Sequence, residues 1–122
     1  TSFSFRRGIP READLVFDVR FLRNPHYNAD LRFLSGIEKA VSDYIQEDRD
    51  FIAFFDNLTS LIRPLIPRYT EEGKNYLTIA IGCTGGRHRS VFVAERLSMW
   101  LNSQVDRVQL IHRDLDKLNN SI

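Results

Sequence analysis

The residues with the greatest chemical potential stand together in one short segment, CTGGRHRS, residues 83–90. An apolar run, YLTIAIG, precedes it, and an amphipathic stretch, SVFVAERLSMWL, begins at its last residue. A strand that turns into a helix leaves unpaired backbone N–H groups at the positive end of the helix dipole, and such groups attract anions. The segment therefore predicts a loop that holds an anion.

The side chains of the loop support the same prediction. Gly85 and Gly86 leave room for a phosphate and tolerate the positive φ angles of an N–H nest. Thr84 offers a hydroxyl, and Arg87 and Arg89 offer charge-assisted hydrogen bonds. The alternative is a glycine turn that only lets the helix pack on its strand. The G-x-x-x-x-G-K-[ST] spacing of a P-loop is absent, so no nucleotide-hydrolysing role follows.

The same loop also contains a C-x5-R-[ST] spacing, formed by Cys83, Arg89 and Ser90. This spacing is typical of cysteine-dependent phosphatases, in which a thiolate attacks phosphorus and an arginine holds the phosphate oxygens. A helix N-terminus and two arginines would lower the pKa of the thiol. The alternative is that Cys83 is a small apolar residue at a strand end. A phosphatase also needs a general acid, for which Asp18 is a conceivable candidate.

A second polar cluster follows the predicted strand at 13–22, in the segment FDVRFLRNPHYN. Its candidates are Asp18, for hydroxyl or ammonium groups, and His26, for a phosphate or a hydroxyl. If strands 13–22 and 76–82 are parallel neighbours, this cluster converges on the glycine loop. The alternatives are an ion pair between Asp18 and Arg20 and a loop position for His26 without a role in binding.

Apolar periodicity predicts the elements that position these groups. Strands are expected at 3–5, 13–22, 76–82 and 107–112, and helices at 36–45, 51–66 and 90–101. Pro64 should kink or end the second helix near Ile62. Strands separated by helices predict a single α/β domain over 1–122, with a mixed sheet of about four to five strands flanked by helices.

Composition limits the classes of function. The 122 residues are 43% hydrophobic and 27% charged, as in ordinary globular domains. The formal charge of +1 excludes a general polycation, so any nucleic-acid surface must come from local clustering. One cysteine fits a reducing compartment. No run approaches the roughly 20 apolar residues that span a bilayer, and nothing calls for a metal or an organic cofactor.

Four motifs carry a family resemblance: FRRGIP, DVRFLRNPHY, YLTIAIGCTGGRHRS and HRDLDK, in this order. Over roughly residues 2–118, the chain resembles the C-terminal domain of the RapZ family, bacterial RNase adapter proteins that also carry the name nucleotide-binding protein. Full-length members have an N-terminal P-loop ATPase-like domain. Since the chain also lacks an initiating Met, we expect it to be one domain of a longer protein.

The resemblance implies a cytoplasmic, non-catalytic regulator whose fold is similar to a sugar-phosphate-binding subdomain of phosphofructokinase. It implies that the domain senses glucosamine-6-phosphate, binds small regulatory RNA, presents that RNA to an endonuclease and contacts two-component proteins, with the full-length protein a homo-oligomer. The implied ligand site consists of Asp18, His26, Cys83, Thr84, Gly85, Gly86, His88 and Arg89. The implied RNA surface consists of Arg6, Arg7, Arg32 and Arg87.

Three hypotheses thus emerge from the sequence. The first is a phosphosugar sensor without catalytic activity, and the second is the cysteine-dependent phosphatase. The third is an assembly module that oligomerises through the Phe-rich helix at 51–66. Exposed aromatic residues on that helix would favour the assembly module, whereas complete burial would favour an ordinary core helix.

Overall fold

Three short strands form a parallel sheet in the computed structural model, which describes residues 1–115. β1 (Ser2–Ser4) and β2 (Leu15–Asp18) flank β3 (Ile79–Cys83). Every residue of β3 is buried, as expected for a continuous apolar run in the centre of a sheet. The condition on which the convergence of the two clusters depends is met, since β2 and β3 are parallel neighbours in which Leu15 pairs with Ile79 and Asp18 with Gly82.

The prediction of a mixed sheet with four to five strands is wrong for residues 1–115. The segment 107–112 forms no strand and contributes one parallel bridge, between His112 and Ser2. On the outer side of β1, the Ser2 N–H donates to the Ile111 carbonyl at 2.8 Å. The next N–H on that side, from Ser4, donates to the Asp114 carboxylate at 2.6 Å. Pairing ends there because a side chain has replaced the backbone acceptor.

All three predicted helices are present, with adjusted ends. They are α1 (Lys39–Gln46), α2 (Arg49–Glu71) and α3 (Arg89–Asn102). The Asp48 side chain caps α2 by accepting a hydrogen bond from the Asp50 N–H at 3.0 Å. Together with the parallel sheet, these helices make the α/β domain that the sequence predicts.

Helix α2 does not end near Ile62, as predicted, but continues through Pro64 and Pro67. A proline in a helix lacks the N–H that would bond the carbonyl four residues earlier. Those carbonyls belong to Ser60 and Arg63, which are exposed, as are both prolines. Water can therefore satisfy the freed carbonyls, and the buried face of the helix remains intact.

The core lies between the sheet and the helices. α3 packs on β3 and β1, and α1 packs on α2 and α3. The rings of Phe51 in α2 and Phe92 in α3 have centroids 4.9 Å apart. Gly36 lies so close to the start of α3 that a Cβ there would be 2.3 Å from the His88 carbonyl oxygen. The segment before α1 is thereby held directly against the loop that precedes α3.

A groove of about 640 Å³ opens at the amino ends of the strands. Its lining includes Tyr76, Leu97, Leu101, Arg107 and Leu110. Tyr76 is 84% exposed. Within 1–115, none of the helices combines the length and the apolar character that a bilayer span requires.

Candidate functional site

The glycine loop connects the end of β3 to the start of α3 at the carboxyl edge of the sheet. Because the strands are parallel, β1 and β2 end at the same edge, with Ser4 in register with Cys83 and Asp18 with Gly82. Open α/β sheets bind ligands at this edge. The fold therefore brings the glycine loop beside the ends of both outer strands.

The two adjacent glycines have different roles. Gly86 has a φ of +74°, and a Cβ there would be 3.0 Å from the Ser4 Cβ and 3.3 Å from the Asp114 Cβ. Both the backbone angle and the close packing therefore require glycine at this position. A Cβ on Gly85 would meet nothing within 4 Å. Gly85 thus leaves the surface of the loop open to a ligand.

A cleft of about 700 Å³ lies over this loop. Its lining includes five arginines, two histidines and, among the residues that the structure describes, no carboxylate. The arginines are Arg6, Arg7, Arg32, Arg87 and Arg89, and the histidines are His26 and His88. In a chain whose formal charge is only +1, this separation of charge makes the cleft a local site for anions.

Most of the sequence-predicted site residues border this cleft. From the ligand set, the cleft is lined by His26, Cys83, Thr84, Gly85, His88 and Arg89. Asp18 and Gly86 are not among its lining residues. All four arginines of the predicted RNA surface line it: Arg6, Arg7, Arg32 and Arg87. Most of the predicted ligand set and all of the predicted RNA set therefore lie on one surface.

Asp18 forms the ion pair that the sequence left open as an alternative. Arg20 donates to its carboxylate from Nε at 3.0 Å and from Nη2 at 2.6 Å. The hydrogen bonds from Arg20 lower the pKa of Asp18 below its ordinary value of 3.8. The Arg20 guanidinium also lies 4.1 Å from the centroid of the Phe5 ring. Asp18 is consequently an ionised carboxylate held by its neighbour at the sheet edge.

Arg89 is buried, with an exposed fraction of 5%, and donates hydrogen bonds to backbone carbonyls. Its Nη1 bonds the carbonyl oxygen of Arg20, and bonds that of Leu22 at 3.1 Å. These bonds join the first residue of α3 to the chain that leaves β2. Arg89 therefore ties the start of α3 to the segment that follows β2, and part of its guanidinium is committed to these bonds.

The Cys83 side chain is also buried, with an exposed fraction of 2%. Its Sγ lies 3.1 Å from Ser90 Oγ and donates a hydrogen bond to it. Three residues of the phosphatase spacing are thus adjacent, but the arginine is turned toward carbonyls and the thiol toward a hydroxyl. This arrangement suits a packed strand end better than an exposed nucleophile.

His88 is buried at the start of α3, and its Nε2 lies 3.2 Å from the Leu31 carbonyl oxygen. Because a carbonyl only accepts, Nε2 carries the hydrogen. Burial lowers the pKa of His88 below its ordinary value of 6.5, and the charge of Arg87 lowers it further. The imidazole is therefore neutral near pH 7, and it serves to fix the segment around Leu31.

The segment 25–33 forms the opposite wall of the cleft and is tied down by arginines. Arg32 Nε donates to the His26 carbonyl at 3.1 Å, and Arg87 Nη1 donates to the Phe33 carbonyl at 3.1 Å. The Asn24 side chain caps the short turn Pro25–Tyr27 by accepting from the His26 N–H at 3.1 Å. His26 itself is exposed at the rim.

Sequence reasoning missed three residues of the cleft: Ser4, Tyr27 and Phe33. Ser4 donates from its hydroxyl to the Thr84 carbonyl at 2.6 Å, and from its N–H to Asp114. Asp114 is fully buried. The presence of FRRGIP and HRDLDK among the shared motifs was the available signal, since Ser4 precedes the first and Asp114 belongs to the second. Tyr27 and Phe33 gave no signal of periodicity or spacing.

As a group, the aromatic residues of α2 are neither fully exposed, as the assembly hypothesis requires, nor completely buried, as in an ordinary core helix. Phe51 is buried, and Phe54 and Phe55 are partly buried against the core. The strongly exposed apolar residues of this helix are the aliphatic Ile52 and Leu61. The phenylalanines thus serve mainly as core residues.

These features define a class of protein: a small parallel α/β domain with an arginine-rich anion cleft at the carboxyl edge of its sheet. The family model described as the RapZ C-terminal domain matches residues 1–116. The chain belongs to this family, as its motifs predict.

Curated relatives are similar over almost the whole chain. A nucleotide-binding protein of Rhodospirillum centenum is 61% identical over 117 residues, covering 96% of this chain and 35% of the relative. One from Rhodospirillum rubrum is 59% identical over 115 residues, covering 94% of this chain and 36% of the relative. One from Endomicrobium trichonymphae is 47% identical over 119 residues, covering 98% and 42%. The chain thus spans about two-fifths or less of the length of these relatives.

Proposed function

We propose that this domain is a non-catalytic regulatory module that senses a phosphorylated amino sugar, glucosamine-6-phosphate, in the cleft over the glycine loop. The observation that carries the proposal is the composition of the lining, with five arginines, two histidines and no carboxylate among the described residues. A volume of about 700 Å³ is within the usual range for small-ligand sites. The site therefore suits a small, strongly anionic ligand.

The phosphate is assigned to the loop. Backbone N–H groups at the start of α3 supply the helix-terminal donors, and the open face of Gly85 permits close approach. Arg87 adds a cation at the rim. Arg89 is assigned a positioning role, because it bonds the carbonyls of Arg20 and Leu22.

The amino group is assigned to Asp18, which lies at the same edge of the sheet, in register with Gly82, but outside the lining of the cleft. Its carboxylate is ionised and partly exposed, and it is paired with Arg20. An ammonium group would exchange with that guanidinium, which then remains stacked on Phe5. Glucose-6-phosphate lacks this charge, so the comparison of the two sugars tests the assignment directly.

The wider partners belong to the same proposal. The arginine rim would engage the phosphates of small regulatory RNA, and through it an endonuclease and two-component proteins. The relatives carry the name nucleotide-binding protein, which agrees with a site for phosphate esters. Sensing follows if sugar phosphate and RNA compete for the cleft, since the two predicted residue sets line it together.

The decisive experiment is isothermal titration with glucosamine-6-phosphate, glucose-6-phosphate, inorganic phosphate and a nucleoside monophosphate. We expect saturable one-to-one binding that favours the amino sugar. Asp18→Asn should bind glucosamine-6-phosphate and glucose-6-phosphate with equal affinity. Equal weak heat from every ligand would refute the amino-sugar assignment. Tight binding of the nucleoside monophosphate alone would show that the cleft binds nucleotides and not sugar phosphates.

Gly85→Val provides a blocking variant that should still fold. The new Cβ enters open space, so thermal unfolding should change little while ligand binding is lost. Ala40→Val, an exposed substitution in α1, is the matched control and should bind normally. Unchanged ligand binding by Gly85→Val would show that the glycine loop does not contact the ligand.

The phosphatase alternative is tested with the same protein and para-nitrophenyl phosphate. We expect no turnover above background, because the Cys83 thiol is buried and bonded to Ser90. Turnover that disappears in Cys83→Ser would establish catalysis and overturn the non-catalytic proposal.

A further inference from the structure

The rim of the anion cleft carries two aromatic side chains that a small sugar phosphate would leave unused. Tyr27 is 81% exposed and Phe33 is 80% exposed, and both line the cleft. Single exposed aromatics are common on protein surfaces. Two of them in the lining of one cleft that also contains five arginines form a surface with both stacking and cationic character.

This aromatic wall is held in place by its backbone. The carbonyl of Phe33 accepts from Arg87, and the carbonyl of Leu31 accepts from His88. Leu31 and Pro25 are buried and anchor the segment from inside. Tyr27 and Phe33 are therefore presented outward by a wall that the glycine loop itself fixes, so little ordering is needed when a partner binds.

The charge of the cleft determines the kind of partner. Arg6, Arg7, Arg32 and Arg87 line it, and no carboxylate among the described residues does. Such a surface repels a cationic partner and attracts one with repeated negative charge. Aromatic rings beside arginines suit nucleobases, since every base offers a flat face for stacking. A duplex keeps those faces inside its own stack, whereas a single strand exposes them.

We propose that this rim binds unpaired nucleotides of an RNA strand, with bases stacked on Tyr27 and Phe33 and phosphates held by the arginines. The inference rests on the proposed anion cleft and specifies the form of RNA that the cleft accepts. It assigns base contacts to two residues outside the arginine set. It also predicts that the cleft distinguishes single-stranded segments from duplex.

The test is fluorescence anisotropy with the 122-residue chain and three labelled probes of equal length, about 12 nucleotides, which covers typical single-strand sites. The probes are a single-stranded RNA, the same strand without bases, and the same RNA in a duplex. We expect the base-bearing strand to bind at least about fivefold tighter than the abasic strand for each stacked base. It should also bind tighter than the duplex.

Substitutions at Tyr27 and Phe33 test whether these two rings account for the contribution of the bases to affinity. Tyr27→Ala and Phe33→Ala should each lower the affinity for the base-bearing strand about fivefold or more and leave abasic binding unchanged. Tyr27→Phe and Phe33→Tyr keep a ring and should retain affinity. Tyr76→Ala removes an equally exposed ring from the opposite groove and should have no effect.

The outcomes separate this inference from the proposed function. Equal affinity for base-bearing and abasic strands, preference for the duplex, or alanine variants that bind normally would each overturn base stacking while leaving the anion cleft in place. Failure to bind both the abasic strand and inorganic phosphate would overturn the cleft itself and the stacking proposal with it.

Discussion

At the scale of single residues, the hydroxyl of Ser4 connects β1 to the anion loop. It donates to the Thr84 carbonyl at 2.6 Å, and the Ser4 N–H is fixed by Asp114. Ser4 lines the cleft but is buried, and its hydroxyl is committed to this carbonyl, so it acts on a ligand mainly through the position of the loop backbone. Loop geometry and ligand affinity should therefore depend on a residue that supplies no charge.

Ser4→Ala tests this connection. The hydroxyl donates to the Thr84 carbonyl and also accepts from the Arg6 N–H at 3.2 Å. Loss of these two hydrogen bonds should lower the free energy of unfolding by about 1–2 kcal/mol and weaken sugar-phosphate binding. Ser42→Ala is the matched control, because that hydroxyl also donates to a carbonyl, of Lys39, at 3.0 Å, but in α1. Urea unfolding and titration should show a stability change in both variants and an affinity change in Ser4→Ala alone. Equal affinities would contradict the proposed connection.

His88 makes the stability of the domain depend on pH. Burial holds the pKa of His88 below 6.5 in the folded protein, whereas the unfolded chain takes up a proton near that value. As the pH falls below about 6.5, the unfolded state binds more protons, and the free energy of unfolding decreases by at most about 1.4 kcal/mol per pH unit. The contribution is fully present above that pH.

Substitution by glutamine should flatten this dependence. His88→Gln can keep a donor for the Leu31 carbonyl but cannot titrate, so its stability should change less between pH 7 and pH 5.5 than that of the parent protein. His26→Gln, at an exposed position, is the control and should behave as the parent does. If the free energy of unfolding changed equally with pH in all three proteins, His88 would not be the titrating group.

At the scale of elements, α2 shows how a helix accommodates two prolines. Pro64 and Pro67 lie on the exposed side, and the carbonyls that lose a donor belong to Ser60 and Arg63, which are exposed residues. We expect Pro64→Ala to raise the free energy of unfolding by about 1–2 kcal/mol, since alanine restores an N–H donor and favours the helix. Urea denaturation measures the change. A decrease would show that the proline ring contributes to packing or restricts the unfolded chain more strongly.

The elements also show what can be predicted from sequence. The β3–loop–α3 unit was evident because a continuous apolar run, adjacent glycines and helical periodicity occur in succession. The full extent of α2 could not be predicted, because the effect of a proline on a helix depends on whether the carbonyl four residues earlier faces water. The bridge at His112 was mistaken for a strand because its pattern is apolar. Its length is decided by the Asp114 carboxylate, which takes the Ser4 N–H.

The site was predictable to a similar degree. Loop residues follow from their local spacing, and the arginines follow from their charge. The ion pair of Asp18 with Arg20 was one of two open alternatives, and only the structure shows it. The commitment of Arg89 to two carbonyls depends on contacts between residues almost seventy positions apart. No local pattern reports such contacts.

At the scale of the whole molecule, the separation of charge predicts a salt-dependent interaction with RNA. Each phosphate contact on a single strand contributes about 0.7 to the slope of log affinity against log salt. Arg6→Ala and Arg7→Ala should each reduce that slope and weaken binding to every sequence alike. Arg107→Ala, in the groove at the opposite edge, should leave both quantities unchanged. A slope that is the same in all variants would exclude the rim from the RNA contact.

The short pairing along β1 also bears on the behaviour of the domain in solution. Exposed strand edges invite other chains to add a strand, which leads to aggregation. Here the Ser2 N–H and carbonyl are bonded to the 111–113 backbone, and the Ser4 N–H is bonded to a carboxylate. The edge of β1 beside the anion cleft is thus closed at Ser4 by the side chain of Asp114. Asp114 therefore denies an incoming strand the N–H group of Ser4, and we expect it to hinder strand addition along β1.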